Sequence, residues 1–295
     1  MKIAVTGKTG QVVTSLIERG TAAGHEVIAI GRPDLDLADP SSVVRALETA
    51  APDVIVSAAA YTAVDKAESK RDLAFAINGA GPGAVAQSAK ALGVPLIHMS
   101  TDYVFDGMLD RPYVESDPTG PTGVYGASKL AGERAVLECH DNSAVLRVAW
   151  VYSPFGSNFV KTMLRLSAAR DEISVVSDQV GNPTSALAIA DGIIQVATNI
   201  VSDAHSALRG VFHMTALDEA SWAIFAQAIF AELAERGGPL VSVRPIGTAD
   251  YPTPAARPAN SRLDCGRIAR VHGIKLPEWR VALAEVMDRL QGGRQ

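Results

Sequence analysis

The chain has 295 residues, of which 47% are hydrophobic and 20% charged, with a formal net charge of −5 at pH 7. That composition excludes a disordered chain and is ample for one large domain, or one domain with a smaller lobe. The acidic balance argues against a general nucleic-acid binder, which needs a basic face to neutralise phosphates, but permits a small anionic ligand held by a few donors.

The first predicted strand, Lys2–Val5, runs into Thr6-Gly7-Lys8-Thr9-Gly10-Gln11-Val12-Val13, and a helix is predicted over Gln11–Arg19. Gly7 and Gly10 permit a tight turn, and the helix N-terminus offers free N–H groups to a pyrophosphate. A ligand-free turn is the bland alternative; its place at the first strand-to-helix junction favours the ligand. Val13 is β-branched where the dinucleotide fingerprint has a third small residue. The first helix is therefore expected to be pushed outward, weakening cofactor binding. The second strand, Val27–Ile30, ends at Gly31-Arg32. An acidic side chain there would hold the adenosine ribose and repel a 2′-phosphate. Arg32 instead predicts that NADPH is accepted, with NADH as the alternative. Asp36 and Leu37 follow in the same loop and could flank the adenine.

Next come a helix over Ser41–Thr49, a strand over Val54–Ala58, a helix over Asp72–Leu92 and a strand over Leu96–Met99. A helix over Tyr125–Cys139 and a strand over Ala144–Val148 close the first half. Each strand has the length and β-branched content of a buried parallel strand. The alternation predicts an α/β fold with a Rossmann-type doubly wound parallel sheet. After Trp150 come a helix over Asn158–Ala169, a strand at Ile173–Val176, the loop Asp178–Thr184, a helix from Ala186 and a strand at Val211–Met214. We read an NAD(P)-binding domain over 1–150, to which some later segments return. Residues 151–295 form mainly a smaller C-terminal α/β substrate lobe.

Tyr125 and Lys129 share one helix face at a spacing of four. A phenol is a poor acid-base catalyst at pH 7, and a nearby ammonium favours the phenolate, so Lys129 is expected to lower the pKa of Tyr125. The same lysine can donate to the nicotinamide ribose. Tyr-x-x-x-Lys alone is weak, since many surface helices contain it. Here the strand before it ends in Ser100-Thr101-Asp102-Tyr103-Val104-Phe105, putting hydroxyls at the carboxyl edge of the sheet, where open α/β sheets bind ligands. Thr101, Tyr125 and Lys129 together form the triad of short-chain dehydrogenases, with Thr101 holding the substrate oxygen while Tyr125 delivers the proton.

Five blocks in order make the resemblance specific: Ala58–Glu68 (AAAYTAVDKAE), Ser100–Gly107 (STDYVFDG), Tyr125–Glu133 (YGASKLAGE), Arg147–Tyr152 (RVAWVY) and Asp178–Ser185 (DQVGNPTS). With them the chain resembles the dTDP-4-dehydrorhamnose reductases, an extended short-chain dehydrogenase/reductase family, from residue 1 to about 265. The resemblance implies reduction of the 4-keto group of a dTDP-linked 6-deoxyhexulose to dTDP-L-rhamnose with NADPH or NADH. It implies that Gly10, Gln11 and Val12 meet the pyrophosphate, and that Asp36 and Leu37 meet the adenosine end. Ala60, Tyr61 and Thr62 would line the nicotinamide, and Val64, Asp102, Tyr103 and Trp150 would surround the sugar. Arg257 and Asn260 resemble the contacts to the nucleotide diphosphate. Ser57 stands where the family commonly has Asn.

Other residues have plainer readings. His98, inside a strand, is expected to be a satisfied core histidine. Asp65 and Glu68, at a helix start, are expected to act on the helix dipole. Cys139 and Cys265 are too few for a disulfide framework and lack metal-ligand spacing, so no metal site is predicted. With no leader pattern and no apolar run of membrane-spanning length, a soluble, cytoplasmic chain is expected, with a nucleotide-sugar substrate. A homodimer stays open. So do two other functions: a reductase of another nucleotide sugar, and a non-catalytic regulatory subunit that keeps the fold.

Overall fold

The computed structural model describes residues 1–291. Its first half winds β1 (Lys2–Thr6), α1 (Gln11–Ala22), β2 (Glu26–Ile30), α2 (Pro40–Ala50), β3 (Val54–Ser57), α3 (Val64–Ser69), α4 (Arg71–Phe75), α5 (Gly81–Leu92), β4 (Leu96–Thr101), α6 (Val124–Cys139) and β5 (Ser143–Val148). The second half contains β6 (Val151–Tyr152), α7 (Phe159–Ser167), β7 (Glu172–Val176), β8 (Val180–Gly181), β9 (Thr184–Ser185), α8 (Ala186–Ser202) and β10 (Gly210–His213). It ends with β11 (Ala220–Ser221), α9 (Trp222–Glu235), β12 (Ser242–Ile246), α10 (Gly266–His272) and α11 (Trp279–Gln291).

The main sheet is six-stranded and parallel, in the order β2-β1-β3-β4-β5-β10. The strands bury both faces, as period-2 side-chain alternation requires when helices cover each side. Ile3, Val5, Val54, Val56 and Ile97 pack with Leu16 of α1 and Ile189 and Ile193 of α8. Ala4, Ile55 and Leu96 pack the other way, against Val43, Leu47, Val85 and Val136. The connection reverses direction between β1 and β3, so a crevice opens at the carboxyl ends of β1, β3 and β4. The Rossmann-type sheet is thus as expected. β10, from the second half, extends it beside β5 through pairs such as Val211 with Val145. A separate core joins α7, α9 and α11 around Tyr152, Met163, Phe225, Ile229 and Trp279. Among the described residues no helix is long and apolar enough to cross a membrane.

Two local expectations are corrected. The predicted helix over 72–92 is interrupted by a π-helical turn, Ala76–Ala80, between α4 and α5. Val13 does not push α1 outward. Its side chain is buried among Ile3, Val5 and Leu16, with a methyl against Gly7, where a Cβ would lie 3.3 Å from it. The absent side chain of Gly7 leaves the room that Val13 fills. Gly7 itself sits at φ +105°, a conformation that other residues adopt only under strain. Gly7→Ala is expected to cost ~1–3 kcal/mol of stability and to weaken cofactor binding, checked by thermal melts and a cofactor titration.

Candidate active site

The residues expected to meet a cofactor begin at β1. The Thr6 hydroxyl accepts from the amides of Ala58 and Ala59, both at 3.0 Å, tying the ends of β1 and β3 together under the crevice. Gly10 precedes α1 without any side-chain cap, so the first-turn amides of the helix, from Gln11 onward, face the crevice unclaimed by a capping side chain. That cradle fits a pyrophosphate. The Gln11 side chain is engaged elsewhere: its Oε1 accepts from Ser153 and Asn158, each at 2.9 Å, joining the loop to the second half of the chain. Arg32 is exposed, with no hydrogen bond or ion pair among the described residues, whereas neighbouring Lys8 pairs with Asp34 at 2.8 Å. Asp36 caps its own turn by accepting from the Ala38 amide, and Leu37 buries its side chain in the core.

Ala60, Tyr61 and Thr62 follow β3 along the same edge. A residue missed in the sequence, Asn78, holds them: its Oδ1 accepts from the Tyr61 amide at 2.7 Å. Its Nδ2 donates to the Tyr61 carbonyl at 3.1 Å and to the Ser128 hydroxyl at 3.0 Å. Asn78 lies in the π turn, a deformation that recurs at functional sites. The visible signal was Asn-Gly inside an otherwise helical stretch.

Thr101, Tyr125 and Lys129 come together where β4 ends beside the first two turns of α6. Helix α6 can approach this closely only because Gly126 faces the Tyr103 carbonyl, which a Cβ would meet at 2.1 Å. The free amide of Val124 at its start is taken by Glu68 at 2.8 Å. Glu68 therefore serves the N-terminus of α6 rather than that of α3, while Asp65 does lie in the first turn of α3. The Lys129 ammonium is 3% exposed and donates to the Met99 carbonyl at 2.6 Å. Burial brings its pKa down to about 8, against the opposing pull of Glu133. Tyr125 departs from expectation. Burial pushes its phenol up to about 12, with Thr101 pulling the other way and Asp102 adding to the rise. Desolvation of a phenolate in this pocket sets the direction, so the expected lowering is reversed. His98 is buried as expected but only half satisfied: Nδ1 meets the Ser57 hydroxyl at 3.1 Å, and Nε2 has no partner among the described residues. Burial, then the nearby Lys129, holds it well below its ordinary value.

The residues expected to surround a sugar come next. Val64 starts α3. Tyr103 sets its ring edge-on to Tyr125, centroids 5.6 Å apart. Asp102 accepts from the Thr101 hydroxyl at 2.8 Å, while its Oδ2 is buried without a partner among the described residues. Burial raises its pKa to about 6 against the pull of Thr101 and Ser261. A carboxyl raised in the folded state keeps its stability below the unfolded value of 3.8 and loses it as pH rises through about 6. Asp102→Asn is therefore expected to unfold at higher denaturant than the parent at pH 7–8, by up to about 3 kcal/mol, with the gap closing below about pH 4.

Trp150 has φ +46°, unusual for so bulky a residue, and lies flat on Trp222, centroids 3.5 Å apart and planes 3° apart. Its Nε1 donates to Ser261 at 3.0 Å. Trp222, the first residue of α9, had no signal beyond an aromatic at a helix start. Arg257 pairs with Asp65 at 2.8 Å, across 192 residues of sequence. Asn260 is buried, with its Nδ2 donating to the carbonyls of Leu109 and Arg111 and its Oδ1 accepting from Arg262, so it shapes the loop that carries Arg257.

A glycine-lined phosphate cradle at a switch point, with a threonine, tyrosine and lysine beside it, defines an NAD(P)-dependent reductase of the short-chain type. The chain belongs to the RmlD substrate binding domain family, whose profile matches residues 1–292. It is 51% identical over 279 residues to a dTDP-4-dehydrorhamnose reductase of Sinorhizobium fredii, covering 95% of this chain and 94% of that one. Among solved structures, a dTDP-4-dehydrorhamnose reductase from Clostridium acetobutylicum superposes with a TM-score of 0.91 at 37% identity, covering 99% of this chain and 100% of the other. One from Bacillus anthracis, in complex with NADP, gives 0.89 at 35% identity over 97% of this chain and 98% of that one.

Proposed function

We propose that this chain reduces the 4-keto group of dTDP-4-dehydro-L-rhamnose to give dTDP-L-rhamnose, with NADPH or NADH as reductant. The observation that carries the reading is the convergence of Thr101, Tyr125 and Lys129 at the sheet edge beside the phosphate cradle, in a chain whose relatives bear that name. The amides of Gly10, Gln11 and Val12 would hold the pyrophosphate, with Gly7 making the turn. Arg32 would meet a 2′-phosphate, Asp36 and Leu37 the adenosine, and Ala60, Tyr61 and Thr62 the nicotinamide side. A nicotinamide held there would supply the hydride that reaches carbon 4 of the sugar.

The protein's own groups handle the proton. A phenol pushed up to about 12 carries its proton at neutral pH, so Tyr125 is loaded as a donor. It protonates the oxygen of the former ketone as negative charge develops there, while the Thr101 hydroxyl shares that charge. Lys129 stabilises the phenolate that Tyr125 becomes and donates to the nicotinamide ribose. Val64, Tyr103, Asp102 and Trp150 would enclose the deoxy sugar. Arg257, on the loop held by Asn260, would face the diphosphate, exchanging Asp65 for the ligand.

The test is oxidation of NADPH and of NADH, measured separately, with the enzymatically prepared 4-keto-6-deoxy sugar nucleotide. Consumption matched by dTDP-L-rhamnose formation is expected. Turnover on a different nucleotide sugar alone would replace the substrate, and copurification with a partner enzyme without any turnover would favour a regulatory role.

A further inference from the structure

We propose that Glu133, clamped from two neighbouring strands, is the positioning residue that holds Lys129 as an aimed ammonium beside Tyr125. The proposal rests on the assignment of Tyr125 and Lys129 to proton delivery. Tyr125, Lys129 and Glu133 follow each other at four-residue spacing along α6 and so form one stripe of the helix. Where the stripe meets the sheet it is closed to water: Lys129 is 3% exposed and Glu133 is 2% exposed.

A lysine in such a place needs a counter-charge, because a buried cation with only neutral acceptors tends to give up its proton. The hydrogen-bond partner of its Nζ is the neutral Met99 carbonyl. The carboxylate of Glu133 sits one helical turn away and is held by every oxygen it has. The Ser100 hydroxyl donates to Oε1 at 2.5 Å, Arg147 Nε donates to the same oxygen at 2.9 Å, and Arg147 Nη2 donates to Oε2 at 2.7 Å. Ser100 pairs with Arg147 in the β4–β5 register and directly precedes Thr101. The clamp thus sets α6 against the strand that carries the catalytic threonine. A buried ion pair of this kind contributes little net stability over an apolar pair of the same volume. Its distinctive consequence is a carboxylate fixed one helical turn from Lys129, anchored by Ser100 and Arg147 rather than by the lysine itself.

The other ionisable groups on the elements packed against α6 do not supply that charge. His98 on β4 and His213 beyond Arg147 are held neutral by burial. His213 donates from Nδ1 to the Tyr113 carbonyl at 3.1 Å, which leaves Nε2 to accept from Arg147. Arg147 on β5 is itself a cation. Tyr103, in the turn after β4, is held neutral by burial, and Asp102 beside it, ionised above about pH 6, acts on Tyr103 and Tyr125 rather than on Lys129. Asp65, Lys66, Glu68, Arg71, Asp72 and Lys90, on α3 to α5, are half-buried or exposed. Of these groups, Glu133 is the one that opposes the desolvation of Lys129.

The experiment follows the Lys129 resonance by NMR in cofactor-free protein labelled at the lysine ε-carbons, assigned by its loss in Lys129→Met. The parent chain is compared with Glu133→Gln and with Glu133→Gln/Arg147→Met, which leaves no guanidinium unpaired. In both variants the Lys129 midpoint is expected to fall by about one pH unit or more, roughly a tenfold loss of ammonium relative to amine on the alkaline side. The alkaline limb of kcat should move with it, KM should change little, and the double variant should regain the parent melting temperature. An unchanged Lys129 midpoint in the folded double variant would overturn the proposal, as would a limb that returns to the parent position once stability is regained. If the parent chain turns over no 4-keto nucleotide sugar, the proposed function fails while the NMR titration still decides the role of Glu133.

Discussion

Tyr125→Phe is expected to lower turnover of the 4-keto nucleotide sugar by about 10²–10⁴-fold, the usual contribution of a positioned proton donor. Cofactor affinity should change little, because the phosphate cradle and the Asn78 clamp lie outside the lost hydroxyl. The fold should persist, since the ring remains to meet Tyr103 edge-on. Steady-state kinetics with a separate cofactor titration separate the two effects. A variant with near-parental kcat would remove Tyr125 from the reaction and leave Thr101 as the remaining hydroxyl at the sheet edge.

Lys129→Met is expected to lower kcat by about 10²–10³-fold, the scale seen when one pre-organised charge stabiliser is deleted, and to weaken cofactor binding through the lost ribose contact. Its pH behaviour is distinctive. The proposed mechanism uses the ammonium form, and with a pKa brought down to about 8 the parent should lose activity as pH rises through that value. Stability should move the other way. A lysine whose folded pKa lies below its unfolded value penalises folding wherever it is charged. The penalty is therefore fully present below about pH 8 and is gone by about pH 10.5. At pH 7 the methionine variant should be more stable by up to about 3 kcal/mol, with the gain fading toward pH 10.5. Denaturant titrations at pH 7 and pH 10 check the sign. A lysine variant less stable than the parent at pH 7 would mean that the Met99 bond outweighs the desolvation of the cation.

These two side chains also separate what short stretches of sequence specify from what the fold adds. The parallel strands through β5, the phosphate turn and the Tyr125–Lys129 face follow from local patterns: short continuous apolar runs rich in β-branched residues, glycines at a strand end, and a spacing of four on a helix. Each is a property of a short window, so the sequence by itself determines it. The identity of the strand-end hydroxyl, Thr101, was legible for the same reason.

What only the tertiary structure decided involves contacts between distant segments. Val13 reads as an obstacle to the first helix because a window of sequence does not reveal that Gly7 leaves a methyl-sized space for it. Asn78 reads as an ordinary helix residue until the π turn brings its amide against Tyr61 and Ser128. Glu68 passes from its own helix to the start of α6, and Arg257 finds Asp65 from the far end of the chain. The direction of the Tyr125 shift belongs here as well. Spacing alone predicts the attraction of a neighbouring ammonium, but burial supplies the desolvation that sets the direction, and burial is a property of the whole fold.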